Sequence, residues 1–251
     1  MSMPSTNLQA IEDSPFSRKL AAFVRLAPSD LEVLSNLYRR RRKFDVGVDM
    51  IHSGQTDQSA FVLASGWACS YKLLRSGTRQ IVEIQIPGDF LGLRSVLFRT
   101  SDHNVEPITP VHASEFSQRD LLSAFSEMPR LATAVLWAAS RDEAVVVENL
   151  VNLGLRSAAE RVAHFLLELG GRLHLVGMGT KSGFECPLSQ YLLADAMGLS
   201  AVHVNRVLRE LREAGLVTFQ NGLVTFDDYK ALAVFADFDC AYLDAEGPML
   251  Q

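Results

Sequence analysis

Residues 188–216 read LSQYLLADAMGLSAVHVNRVLRELREAGL, and this stretch decides the fold. Ser189 is placed to N-cap a helix in which Leu192, Leu193 and Ala196 follow at helical spacing. Gly198 interrupts the pattern where a sharp turn suits a residue without Cβ. Ser200 can cap a second helix, which runs to a C′ glycine at Gly215. Val204, Leu208 and Leu211 form its inward stripe, while Val202, Asn205, Arg206 and Arg209 share the opposite face. A helix-turn-helix needs this arrangement, one helix bracing while the next carries its N-terminal side chains into the major groove. Arg can donate two hydrogen bonds to guanine O6 and N7, and Asn can pair with adenine or reach phosphate. The same residues also suit an amphipathic helical hairpin with solvated charges, and this stretch alone leaves both readings open.

The residues that follow favour the first reading. Leu216–Phe219 and Leu223–Phe226 are short apolar runs on either side of Gln220-Asn221-Gly222, and Asn-Gly between such runs signals a β-hairpin. A helix-turn-helix followed at once by a hairpin is a winged helix. Asp227 or Asp228 then caps a last short helix through Ala236.

The runs Pro187-Leu188-Ser189, Leu193-Ala194-Asp195-Ala196-Met197-Gly198-Leu199-Ser200, Val202-His203-Val204-Asn205-Arg206 and Leu211-Arg212-Glu213-Ala214-Gly215-Leu216 resemble the C-terminal domain of the Crp/Fnr family of bacterial transcription regulators. The resemblance extends over most of the chain. Upstream, Phe44 to Phe116 alternates short β-branched and apolar runs with Gly47, Gly54, Gly66, Gly77 and Gly88, the texture of a β-sandwich or jelly roll. It is similar to the family's cyclic-nucleotide-binding β-roll, with Pro87-Gly88-Asp89-Phe90 at a turn. The resemblance also implies a test of the pocket. Nucleotide-binding members carry Gly-Glu-Leu after that turn, and an Arg-Ser or Arg-Thr about ten residues on. Here Leu93 takes the Glu position and His103-Asn104 the later one. Burying a phosphate without its cation is costly, so cyclic AMP is not the expected effector.

Between the two regions lies a long helix, about residues 130–153. Leu136, Ala139, Val146, Leu150 and Leu153 form one stripe, and Leu131, Val135, Ala138 and Val145 a second. Spacings of three and four resemble a coiled-coil seam, and two stripes imply two partners: the chain's own β-roll and the same helix of a second copy. A helix buried inside one domain gives the same periodicity. Ser157 to Glu160 is a capping box opening a further helix to about Leu169, with Gly154 as the hinge before it and Gly170-Gly171 ending it.

Composition sets the remaining bounds. The net charge is −5, and residues 186–236 carry four Lys/Arg against five acids, so DNA affinity would rest on a local patch and on dimerisation. The basic run Arg39–Lys43 reads as a solvated helix end leading into a strand. Met1–Asn7 is polar with no apolar h-region following, and Cys69, Cys186 and Cys240 are scattered, which fits a reducing cytoplasm. Three isolated cysteines do not suit an iron–sulfur cluster, and no His marks itself as a haem ligand, so no cofactor and no metal are expected. Residues 1–15 read as loosely packed.

The expected fold is therefore α+β: an N-terminal β-roll with flanking helices (residues 1–129), a dimerisation helix (130–153) and a C-terminal winged helix-turn-helix (154–251). The expected function is that of a homodimeric regulator binding a near-palindromic operator. Val202, Asn205 and Arg206 would read bases, and Ser189, Ser200, His203 and Arg209 would hold the backbone. Double-stranded DNA and a second copy are the expected partners, without a membrane; RNA polymerase and a small-molecule effector of unidentified class stay open. A jelly-roll enzyme with a C-terminal protein-interaction domain is the alternative, but no His-x-His and no Ser/His/Asp grouping is present, so no catalytic residue is named.

Overall fold

The computed structural model describes residues 5–56 and 59–243. They divide into two compact units, residues 5–72 with 83–139 and residues 73–82 with 140–243. The sequence expectations for residues 1–4 and 244–251 lie outside the described residues.

Short helices α1 (Ser5–Glu12), α2 (Pro15–Ala21) and α3 (Pro28–Leu37) open the chain. Ser14 caps α2 by accepting from Ser17 N, and Pro15 sits at the first helical position, where its missing N–H costs nothing. Over residues 5–15 the expected loose packing is thus corrected: α1 is helical, and Ile11 is buried among Phe16, Leu20 and Leu34. Strands β1 (Arg41–Phe44), β2 (Ala60–Ser65), β3 (Ala68–Leu73), β4 (Arg79–Gln85) and β5 (Phe90–Leu91) follow. After them come α4 (Leu93–Leu97), β6 (Asn104–Pro107), β7 (Val111–Phe116), α5 (Gln118–Glu127) and α6 (Pro129–Leu155).

The strands form two antiparallel sheets, ordered β1-β7-β2-β5 and β4-β3-β6. Phe44, Phe61, Leu63, Ala68, Leu91, Val105 and Val111 cluster as the buried core of this roll. A second core joins α1–α3, α5 and the first turns of α6 to Val62, Phe90 and Phe116. The basic run does not end in a helix: Arg41, Arg42 and Lys43 lie in β1, solvated and paired, with Arg42 3.3 Å from Glu115 and Lys43 3.1 Å from Asp45. Lys19 of α2 meets Asp89 of the Pro-Gly-Asp turn at 2.7 Å, both buried.

Helix α6 begins in the first unit and continues in the second from residue 140. Its two stripes separate as their spacing predicts. Leu131, Val135, Ala138 and Val145 are buried; Leu136, Val146, Leu150 and Leu153 are exposed, and Ala139 is half-buried. The helix passes through Gly154, and the break falls at Arg156-Ser157.

The second unit continues with α7 (Ala158–Leu175), β8 (Gly179–Thr180), β9 (Gly183–Glu185), α8 (Gln190–Met197) and α9 (Ala201–Glu213). It closes with β10 (Val217–Gln220), β11 (Leu223–Phe226), α10 (Tyr229–Phe235) and a 3-10 turn at Cys240–Leu243. Helix α7 does not stop at Gly170-Gly171. A Cβ at Gly170 would stand 2.9 Å from the Phe226 ring, and one at Gly171 2.9 Å from Leu243 Cδ1. These glycines admit close neighbours rather than end the helix, and tertiary packing outweighs their weak helix propensity. The sheet order β10-β11-β9-β8 makes the wing, and Asn221 and Gly222 both take positive φ, as a two-residue type I′ hairpin requires.

Candidate nucleic-acid interface

Helices α8 and α9 owe their mutual placement to their caps. Ser189 Oγ accepts from Leu192 N at 3.3 Å and starts α8. Gly198 ends it at φ 63°, a left-handed conformation that glycine adopts without a Cβ clash. Ser200 Oγ then accepts from His203 N at 3.2 Å and starts α9. Arg161 of α7 secures the turn from beneath. Its guanidinium donates to Met197 O at 2.6 Å, to Asn152 O at 3.1 Å, and to Leu153 O and Arg156 O at 3.3 Å each. One cation thus satisfies carbonyls at the C-terminal ends of both α6 and α8, where the helix dipoles favour positive charge.

The inner face of α9 is apolar: Val204, Val207, Leu208 and Leu211 are buried against α7 and the wing side of the unit. Its outer face is open. Val202 is 82% exposed, and Asn205, Arg206 and Arg209 are exposed beside it. An open hollow of about 430 Å³ is lined by Ala201, Val202, Asn205, Arg206 and Arg209 from α9 and by Gln190 and Tyr191 from α8. The three residues expected to read bases therefore share one surface with Arg209. Ser189 and Ser200 stand at the two helix starts, their oxygens engaged as caps and their hydroxyl protons left to donate.

The side chains of the hollow are held even without a ligand. Arg206 Nη2 lies 3.0 Å from His203 Nε2, and its Nε 3.5 Å from Glu210 Oε1. Asn205 donates through Nδ2 to Gln190 Oε1 at 3.1 Å. Gln190 and Tyr191 were not among the sequence expectations. Both sit on α8, and only the turn at Gly198 brings them beside residues some fifteen positions later. The available signal was their place in the first turn of the bracing helix.

Groups with displaced pKa values lie behind this face. His164 of α7 is pushed down to about 4 by burial and by Arg156, and Glu168 up to about 7 by burial against the opposing pull of Arg172. Burial drives the Cys186 thiol up to about 12. In the first unit, His103 is buried with Nδ1 2.7 Å from Asp102, and Lys72 and Arg94 also reach that carboxylate, at 3.2 and 3.5 Å. Cys69 is a buried core residue, its thiol 3.7 Å from Glu106. Among the described residues no cluster of three or more His, Cys, Asp or Glu is placed to hold a metal ion, and no helix is long and apolar enough to cross a membrane.

Two family models match. Residues 160–235 match the Crp-like helix-turn-helix domain and residues 41–128 the cyclic nucleotide-binding domain. The chain is 30% identical over 190 residues to the nitrogen fixation regulation protein FixK of Bradyrhizobium diazoefficiens, covering 75% of this chain and 78% of FixK. It is 29% identical to the transcriptional activatory protein AadR of Rhodopseudomonas palustris, covering 84% of this chain and 87% of AadR. Among solved structures, FixK2 from Bradyrhizobium japonicum superposes with a TM-score of 0.69 at 23% identity, over 78% of this chain and 96% of that one. A CRP-family transcriptional regulator from Thermus thermophilus superposes with a TM-score of 0.60 at 20% identity, over 78% and 97%. With the β-roll, the winged helix and these relatives in agreement, the chain belongs to the Crp/Fnr family of DNA-binding transcription regulators.

Proposed function

We propose that the protein acts as a cytoplasmic homodimer on a near-palindromic operator. Residues 1–129 would serve as the sensor, 130–153 as the dimerisation helix and 154–251 as the DNA-binding domain. One observation carries the reading: an outer face of α9 presenting Val202, Asn205 and Arg206 above a braced α8. Arg206 offers a guanidinium for guanine, Asn205 a carboxamide for adenine, and Val202 methyl groups for thymine. Ser189, Ser200, His203 and Arg209 flank these residues and hold phosphates. The stripe Leu136, Ala139, Val146, Leu150 and Leu153 on α6, exposed except for half-buried Ala139, pairs with its copy in the second subunit. Two-fold symmetry then sets the two α9 helices about 34 Å apart, in successive major grooves. RNA polymerase would be the further partner in an activating mode. Leu93 and His103-Asn104 stand where the family's nucleotide-binding members carry the ribose-binding Glu and phosphate-binding Arg, so cyclic AMP is not the expected effector.

Selection from a random duplex library by the purified chain, with Arg206→Ala alongside, tests this function. The wild type is expected to enrich a palindrome. Arg206→Ala is expected to cost ~1–3 kcal/mol per half-site and to relax one symmetric base pair. A loss equal across all sequences would remove Arg206 from base reading.

A further inference from the structure

We propose that Gln190 is the positioning residue for Asn205, fixing which edge of that carboxamide the bases meet, and that its own amide group faces the DNA backbone. The proposal rests on the base-reading role given to α9 above. Asn205 donates through Nδ2 to Gln190 Oε1 at 3.1 Å, across the helix-turn-helix, and both side chains line the same open hollow.

A carboxamide on an exposed helix position rotates freely and can present its oxygen or its nitrogen outward. Bidentate pairing with adenine needs both at once, the oxygen accepting from N6–H and one N–H donating to N7. The NH₂ group of Asn205 carries two protons. Giving one to Gln190 fixes the amide plane and leaves Oδ1 and the second N–H for a base. The ordering cost is then met before binding rather than during it. The consequence for Gln190 follows from its own chemistry. Its oxygen is engaged with Asn205, so the group left to the outside is Nε2, a donor only. A donor at the rim of a groove-facing surface suits a phosphate oxygen, which a carboxylate in its place would repel. In water this exposed hydrogen bond contributes little, because solvent competes with it; in a complex that excludes water, it decides what the base encounters.

The same library selection, run on the full chain with further variants, separates these roles. Gln190→Ala is expected to blur the one symmetric base pair that Asn205→Ala also blurs, with a drop in preference there on the order of 5-fold or more, the low end for a bidentate contact. The double variant is expected to read that position no worse than Asn205→Ala alone. Gln190→Glu keeps the acceptor for Asn205 while placing an acid toward phosphate. It is expected to retain the preference at that position and to bind every sequence more weakly. Because Gln190 is exposed, thermal melting of all variants is expected to match the wild type. The proposal is overturned if Gln190→Ala weakens all sequences equally while the base pair stays sharp, or if the two single variants affect different base pairs. It is also overturned if the effects of the two variants add. A wild type that enriches nothing overturns the base-reading role of α9 itself. A wild type that enriches a palindrome sensitive to Arg206→Ala but not to Gln190→Ala overturns the positioning role alone.

Discussion

As the pH falls from about 7 to about 5, a single imidazole, that of His164, is expected to withdraw ~2 kcal/mol from the stability of the second unit. The side chain is 1% exposed. Its Nδ1 lies 3.1 Å from Asn152 Nδ2, and the orientation of Asn152 is set because its Oδ1 accepts from Arg156 Nη1 at 2.8 Å. Nδ1 is therefore an acceptor, the ring is neutral, and its proton sits on Nε2, 3.5 Å from Glu148 Oε2. Adding a second proton would set one N–H against another. Burial, then the charge of Arg156, push the pKa down to about 4, against the pull of Glu148 and Asp237. With the folded value below the unfolded one of about 6.5, the unfolded chain takes the proton first as pH falls, so stability is full above pH ~6.5 and is lost toward pH ~4. Integrating between those values gives ~2 kcal/mol by pH ~5 and ~3 kcal/mol by pH ~4. Glu168 acts in the opposite sense. Its pKa, raised to about 7 by burial, makes the folded state the better proton binder, so its contribution is present at low pH and is lost as pH rises through neutrality. Comparison with His164→Gln cancels that shared contribution. Urea unfolding followed by circular dichroism should show the advantage of wild type over the variant shrinking by ~2 kcal/mol between pH ~7 and ~5. An advantage that stays constant over that range would refute the neutral, buried assignment.

Lys19→Met removes the ammonium 2.7 Å from buried Asp89 and should cost ~3–5 kcal/mol in chemical denaturation, with Lys19→Met/Asp89→Asn recovering part of it. A double variant as unstable as the single one would show that the charge left behind is not the source of the loss. Leu150, 71% exposed on α6, lies at the centre of the proposed subunit contact, and Leu150→Arg should convert a dimer to a monomer in sedimentation velocity while leaving the melting of each unit unchanged. Unchanged sedimentation would remove this stripe from the interface. Of the three cysteines, Cys240 is exposed while Cys69 and Cys186 are buried, so an aromatic disulfide reagent should label one thiol in the native protein and three after unfolding. Rapid native labelling of two or more would contradict the packing of β3 or of the segment before α8.

How much of this molecule was legible in its sequence depended on how local each determinant is. The helix-turn-helix was readable because Ser189, Gly198 and Ser200 act on backbone within three or four residues of themselves, and Asn221-Gly222 specifies a hairpin with no outside help. The two stripes of α6 were readable for the same reason, since helical periodicity sorts buried from exposed positions wherever the partner lies. Failures came where a residue answers to something distant. Gly170 and Gly171 read as a terminator, yet Phe226 and Leu243, far along the chain, occupy the space their side chains would need. Arg161 gave no local sign that it would collect carbonyls from two helix ends.

The interface shows the same division within a few ångströms. Periodicity placed Asn205 on the outer face of α9, and exposure bears that placement out. Periodicity says nothing about how a carboxamide is turned, because rotation about its terminal bond leaves the helix pattern unchanged. That orientation is set by Gln190, fifteen residues earlier, through a bond that exists only once Gly198 has folded α8 back toward α9. Which residues lie on the outer face is thus a property of one helix, whereas what they present there is a property of two. A base preference inferred from α9 alone is expected to fail at the position proposed for Asn205, and to hold at the one proposed for Arg206, where His203 and Glu210 belong to the same helix.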